Sequence, residues 1–185
     1  MLTLVIGGAR SGKSRFAQSI CAPAGRVAFV ATASAEDEEM RSRIERHRLN
    51  RPASWTTVEE PLALTEGIRR VRPSTDAVLI DCLTVWLSNL LWEQRGRAPE
   101  ETERSALSQI EELAALAAGH RLIAVSNEVG GGLVPETEVG RHFRDLQGLV
   151  NQRCAALADR VFLTVAGIAV PIKPCRQEAS WSGCV

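Results

Sequence analysis

Apolar and polar positions follow two different periods along this chain. Residues 2–6, 27–32, 77–81, 122–126 and 161–165 are short, nearly unbroken apolar runs, partly β-branched, and they read as buried strands. Residues 13–21, 35–49, 61–71, 85–95, 100–118 and 136–157 have helical spacing; Val139, Phe143, Leu146, Val150 and Leu157 form the stripe of the last. Strands apolar on both faces, each followed by a helix, predict an α/β fold: a mostly parallel sheet with helices on both faces. Residues 96–99 read as a loop tip. Residues 167–173 read as a final edge strand, where Pro171 is tolerated because no neighbour needs its missing N–H. No internal repeat or low-complexity stretch interrupts the pattern. Residues 1–173 are therefore expected to form one domain. Residues 174–185 mix Ser, Gly, Cys and charge without a period and are expected to be a flexible tail.

A length of 185 residues suits one domain and can bury a core without staples. Lys+Arg and Asp+Glu are both 22, so the formal charge is zero, which argues against nucleic acid or an anionic membrane surface as partner. A hydrophobic fraction of 45% with 24% charged residues excludes a largely disordered chain. No apolar run approaches the roughly 18 residues of a membrane span. Met1 leads directly into the first strand with no basic stretch or cleavage site, so no signal peptide is expected. Cys21, Cys82, Cys154, Cys175 and Cys184 are odd in number and none stands in C-x-x-C spacing. Reduced thiols in a cytoplasm fit better than a disulfide framework or a zinc site.

The first strand runs into Gly7-Gly8-Ala9-Arg10-Ser11-Gly12-Lys13-Ser14, a G-x-x-x-x-G-K-S phosphate loop in its required strand–loop–helix setting. Glycines let the backbone curl so that successive N–H groups face phosphate oxygens. Lys13 supplies charge for the β- and γ-phosphates, the Ser14 hydroxyl is a Mg²⁺ ligand, and the following helix adds its positive end. Two carboxylates compete as the acidic metal partner at a second strand end. Asp81 closes the apolar run 77–80, and Glu128 follows the run 122–126. Asp81 has a second reading as the N-cap of the next helix.

Ser34 and Asp37 make a capping-box pattern before a segment with acids in its first turn and arginines in its last, as a helix dipole prefers. Met40, Ile44 and His47 share one face of it. His47 reads either as a hydrogen-bonded core histidine or as a nucleophile toward phosphorus. Arg43, Arg46, Arg48 and Arg51 would disfavour imidazolium and could clamp a triphosphate. His120, in a helix-to-strand turn, reads as a helix C-terminal cation, and His142 as structural. Trp86 and Trp92 read as packing or interface residues.

The ordered set GGARSGKS at 7–14, Ala31-Thr32-Ala33, Arg43-Ile44 with His47, Arg51-Pro52-Ala53-Ser54-Trp55, Asp81-Cys82-Leu83-Thr84, Asn127-Glu128-Val129-Gly130, the stretch 140–153 and Ala166-Gly167-Ile168 resembles the bifunctional adenosylcobinamide kinase / adenosylcobinamide-phosphate guanylyltransferase family of cobalamin synthesis. The resemblance runs to about residue 173. It implies a RecA-like P-loop NTPase, commonly a homotrimer. Such an enzyme phosphorylates adenosylcobinamide with GTP or ATP. It then transfers GMP from GTP, through a guanylyl-histidine, to give adenosylcobinamide-GDP. By the same resemblance His47 is the guanylylated residue. Nucleotide contacts carry over onto Gly8, Ala9, Arg10, Ser11, Gly12, Lys13, Ser14 and Arg15, onto Thr32, Ala33 and Ser34, onto Arg48, Leu49, Asn50 and Arg51, and onto Glu59 and Asp81. Some members carry glutamate where this chain has Asp81. Two other readings stand beside this one: a P-loop kinase of another small alcohol or nucleotide, and a non-catalytic nucleotide-dependent switch.

Overall fold

The structure, a computed structural model, describes residues 1–33 and 52–173. In chain order it contains β1 (Leu2–Gly7), α1 (Lys13–Cys21), β2 (Val27–Ala31), β3 (Thr56–Glu59), α2 (Leu64–Val71), β4 (Ala77–Asp81), α3 (Leu83–Glu93), α4 (Pro99–Leu116), β5 (Arg121–Asn127), α5 (Glu138–Leu157), β6 (Arg160–Val165) and β7 (Ile168–Lys173). The predicted helix 35–49, the Ser34 cap and the tail 174–185 lie outside the described residues.

All seven strands join one sheet in the order β3-β2-β4-β5-β1-β6-β7. Every pairing is parallel except β6 with β7, which closes the sheet as an antiparallel hairpin. The central strands are buried on both faces, which is why they read as unbroken apolar runs. Alternate residues of those runs feed two cores. Leu4, Val30, Ile80 and Leu122 face Ile68 of α2, Trp86 of α3, Ile110 of α4 and Val150 of α5. Val5, Phe29, Leu79 and Ile123 face Ala17 and Cys21 of α1, together with Trp55. Among the described residues one face thus carries four helices and the other carries α1.

The differences from the sequence reading have local causes. β3 escaped it because Thr-Thr-Val-Glu has no apolar run; the strand pairs only with β2 and two of its four residues are exposed. α2 starts at Leu64 rather than 61, after Glu60 turns its carboxylate onto the Ala63 N–H at 3.0 Å. α3 spans 83–93 rather than 85–95. α5 starts at Glu138, two residues later than the pattern suggested, because the Thr137 hydroxyl caps it by accepting from the Gly140 N–H. Val139, the expected head of its stripe, stands 74% exposed, and Cys154 rather than Leu157 completes the buried face.

Candidate active site at the phosphate loop

β1 delivers the chain to the carboxyl edge of the sheet at Gly7, which sits between Asn127 of β5 and Thr164 of β6. A Cβ at Gly7 would stand 2.4 Å from the Thr164 carbonyl oxygen and 2.6 Å from Ser11 Oγ, so only glycine fits there. The loop then turns through Arg10 (φ 56°) and Gly12 (φ 95°), both left-handed. Such turns point successive N–H groups inward and make a concave anion seat. The Ser11 N–H bonds the Gly8 carbonyl at 3.3 Å and the Phe16 N–H bonds Gly12 at 3.0 Å, which starts α1. No side chain caps α1 and its first turn holds no acid, so its positive end is left for a ligand.

Lys13 is only 8% exposed. Its Nζ donates to the Gly8 carbonyl at 3.0 Å, which folds the ammonium back over the loop. Arg10, Ser11, Gly12, Lys13, Ser14 and Arg15 line one cavity of about 540 Å³. Its far wall is the β6–β7 turn, Ala166 and Gly167. Those two residues take φ 51° and 83°, as a tight two-residue hairpin requires. The Gly167 N–H donates to the Ser11 carbonyl at 2.8 Å, and a Cβ on Gly12 would come within 3.0 Å of Gly167 Cα. The sequence reading gave this turn no role. Its only signal was an Ala-Gly pair between two strand-like runs.

Asp81 ends β4, two strands away from β1, on the same carboxyl edge. It is half-buried, and the N-cap position of α3 is Cys82, so Asp81 is not that helix's cap. The Asp81–Cys82 peptide is cis. Thr32, fully buried, holds this junction: its hydroxyl donates to the Cys82 carbonyl and accepts from the Cys82 N–H, each at 2.8 Å. The Thr32 carbonyl is in turn held by Asn89 Nδ2 at 2.8 Å. Ala33 follows, half-buried. Glu59 ends β3 beside Ala31, exposed, four strand positions from β1 in the sheet order, or about 19 Å at ordinary strand spacing. The candidate contacts thus gather into a phosphate-loop group and, two strands away, a second group at the ends of β4, β2 and β3, where Asp81 pairs with Ala31 and adjoins Thr32. Ser34, His47, Arg48, Leu49, Asn50 and Arg51 lie outside the described residues.

Glu128, the other carboxylate, is exposed; it accepts from the Gly130 N–H at 2.7 Å, and its own N–H donates to the Gly7 carbonyl at 3.1 Å. Beneath it lies a buried polar network that sequence reasoning missed. Ser126 Oγ donates to Asn151 Oδ1 at 2.6 Å, and Gln147 Nε2 donates to both Ser126 Oγ and Asn151 Oδ1 at 3.0 Å. Thr84 Oγ1 accepts from the Asn127 N–H, and Asn151 Nδ2 donates to the Asn127 carbonyl. The end of β5 is thereby clamped beside Gly7. Gln147 and Asn151, four apart on an otherwise apolar helix face, were the available signal.

The remaining titratable candidates are set aside by burial. Desolvation pushes the Cys21 thiol up to about 11, Cys82 to about 11 with help from Asp81, and Cys154 to about 12, so none is a ready thiolate. His120 was expected to be a helix-end cation. Burial first, then Arg72 and the N-terminal amine, hold its pKa below the usual value, against the opposing pull of Asp76. Trp86 is buried with its indole N–H on the Leu62 carbonyl, whereas Trp92 is 68% exposed.

Comparison with known proteins converges on one family. Residues 3–172 match the family model of cobinamide kinase / cobinamide phosphate guanyltransferase. The chain is 42% identical over 181 residues to a bifunctional adenosylcobalamin biosynthesis protein of Escherichia coli, covering 94% of this chain and 100% of the relative. It is 43% identical over 174 residues to a protein of the same description from Pseudomonas aeruginosa, covering 94% and 98%. With a phosphate loop at the head of a largely parallel sheet and a match that spans nearly the whole chain, this protein belongs to the family of bifunctional cobinamide kinases and cobinamide phosphate guanyltransferases, transferases of cobalamin biosynthesis.

Proposed function

We propose that the carboxyl edge of this sheet carries both transfers, with the following division of labour. In the kinase step the terminal hydroxyl oxygen of adenosylcobinamide attacks the γ-phosphorus of GTP or ATP. The new P–O bond forms as the β–γ bridge breaks, the nucleoside diphosphate leaves with that electron pair, and the hydroxyl proton passes to solvent. Gly8, Ala9, Arg10, Ser11, Gly12 and Arg15 seat the phosphates, and Lys13 neutralises charge growing on the β–γ bridge. In the second step a nitrogen of His47 attacks the α-phosphorus of GTP and pyrophosphate leaves with the α–β bridging pair. A phosphate oxygen of adenosylcobinamide phosphate then attacks the same phosphorus, and the P–N pair returns to the imidazole. Thr32, Ala33, Ser34, Arg48, Leu49, Asn50, Arg51 and Glu59 serve the guanylyl nucleotide.

The observation that carries the reading is the buried Lys13 ammonium folded over an uncapped helix end, which concentrates positive potential where a triphosphate binds. Magnesium fits the donors present. Ser14 and Asp81 offer hard oxygen ligands, and among the described residues no three His, Cys, Asp or Glu side chains form a rival metal site. Bound there with the phosphates, Mg²⁺ would supply charge neutralisation. A homotrimer in the cytoplasm completes the proposal, the latter in keeping with the free thiols of Cys21, Cys82 and Cys154.

GTP labelled at the α-phosphate tests it. The expected result is an acid-labile, base-stable protein label that is absent in His47→Ala, while that variant still phosphorylates adenosylcobinamide. No covalent label under Mg²⁺ and fresh GTP would overturn the histidine route and leave a simple kinase.

A further inference from the structure

The phosphate loop has two flanks, and their charges differ. On the β6–β7 flank Arg10, Lys13 and Arg15 line the cavity. On the proposed reading the triphosphate's terminal end sits at Lys13 and Ser14 on the Asp81 side, with its nucleoside end toward Ala166 and Gly167. The acceptor then approaches from the β4–β5 side. There the chain leaves β5 next to Gly7 and enters residues 128–139. This segment carries Glu128, Glu136 and Glu138, all exposed, and no basic residue of its own; the one cation bonded to it is Arg141, among the hydrogen bonds of the described residues. It also holds Leu133 at 96%, Val134 at 63% and Val139 at 74% exposure.

Three large apolar side chains uncovered within seven residues are unusual beside a nucleotide site. Nor is the segment loosely attached. The Thr84 hydroxyl and the Asn151 amide grip Asn127 at one root. At the other, Thr137 caps α5 and Arg141 Nη1 donates to the Pro135 and Glu136 carbonyls at 3.1 and 2.7 Å. Between the roots, a Cβ on Gly131 or Gly132 would meet nothing within 4 Å. A chain pinned at both ends thus presents apolar groups and carboxylates from the end of β5, the strand next to the phosphate loop's own β1.

We propose that residues 128–139 are the docking arm for the corrinoid acceptor. A polyanionic nucleotide would be repelled by the three carboxylates. A cobalt(III) corrinoid is the complementary ligand, a large ring with apolar edges, amide arms and a net positive charge. Leu133, Val134 and Val139 cover ring edge, Glu136 and Glu138 face its charge, and continuity with Gly7 brings the acceptor hydroxyl to the phosphate. This rests on the proposed reading that cobinamide is the acceptor.

The test is steady-state kinetics of the intact protein with adenosylcobinamide and GTP, alongside sedimentation. In Leu133→Ser with Val134→Ser, KM for the corrinoid should rise about tenfold, with kcat and KM for GTP within about twofold and the assembly state unchanged. In Glu136→Lys with Glu138→Lys, KM for the corrinoid should rise about threefold, and less at high salt. Both variants alter exposed positions, and matching thermal melts establish that they fold. An unchanged corrinoid KM in both overturns the docking arm. So does a loss of activity that follows subunit dissociation and recovers at high protein concentration, which would make the arm a contact between copies. Failure of the wild-type protein to phosphorylate adenosylcobinamide would overturn the functional reading itself, and the arm with it.

Discussion

The two flanks of the phosphate loop are built on opposite principles. Toward β6 and β7 the backbone is close-packed: a methyl on Gly7 would meet the Thr164 carbonyl, and one on Gly12 would meet the Gly167 main chain. Toward β5 and α5 the chain is fixed at its roots by a buried polar network and open between them. Close packing holds the part of the site that meets triphosphate, whose geometry is the same in every turnover. In the proposed arrangement the open flank faces the larger corrinoid acceptor. Rigidity is concentrated where charge must be met by preorganised dipoles, and space is left where a bulky ring must arrive.

The harshest test of this contrast is Lys13→Ala. Both phosphorylation and guanylylation should fall by about a hundredfold or more, measured as kcat/KM for each transfer, because both use one triphosphate seat. Intact guanylylation in that variant would break the single-seat picture. Next comes a paired measurement. Gly7→Val should cost about 3 kcal/mol in chemical denaturation, since its side chain meets the Thr164 carbonyl and Ser11, whereas Gly131→Ala should cost less than about 0.5 kcal/mol. Equal costs would erase the difference between the flanks. Asn151→Leu removes the acceptor of the Ser126 hydroxyl, one acceptor of the Gln147 amide and a donor to the Asn127 carbonyl, and should destabilise by about 2 kcal/mol. It should also raise the acceptor KM more than the nucleotide KM, because the open arm loses its root. The smallest effect belongs to the opposite edge of the sheet, which serves neither flank. His120 is held below its usual pKa of 6.5 by burial and neighbouring positive charge. Between that depressed value and 6.5 the unfolded chain binds more protons, so stability rises with pH and is lost as pH falls through the window. His120→Gln should flatten that slope in denaturation at about pH 7.5 against about pH 5.5, with catalysis unaffected.

What the chain alone made legible was whatever depends on neighbours in sequence. The phosphate loop could be read from eight residues because its needs are local: glycine where the backbone turns left-handed, lysine at the helix start, an apolar strand before it. Asp81 was legible for a similar reason, as a carboxylate closing an apolar strand. β3 was not, since Thr56–Glu59 gains its strand conformation from pairing with β2 rather than from its own composition. The start of α5 was misjudged by two residues because its cap competes with an apolar pattern that continues upstream.

By itself, then, the sequence determined the alternation of strands and helices, the phosphate loop and the family, all of which are written in short-range pattern and in residue order. Only the tertiary structure decided that β1 lies between β5 and β6. That placement makes Ala166 and Gly167 a wall of the phosphate-loop cavity, and it makes Gln147 and Asn151 clamps on the strand next door. The physical reason is that these contacts join residues distant in the chain. Their partners are selected by strand order and by the cost of leaving a buried polar group unmet, neither of which any local window of sequence contains.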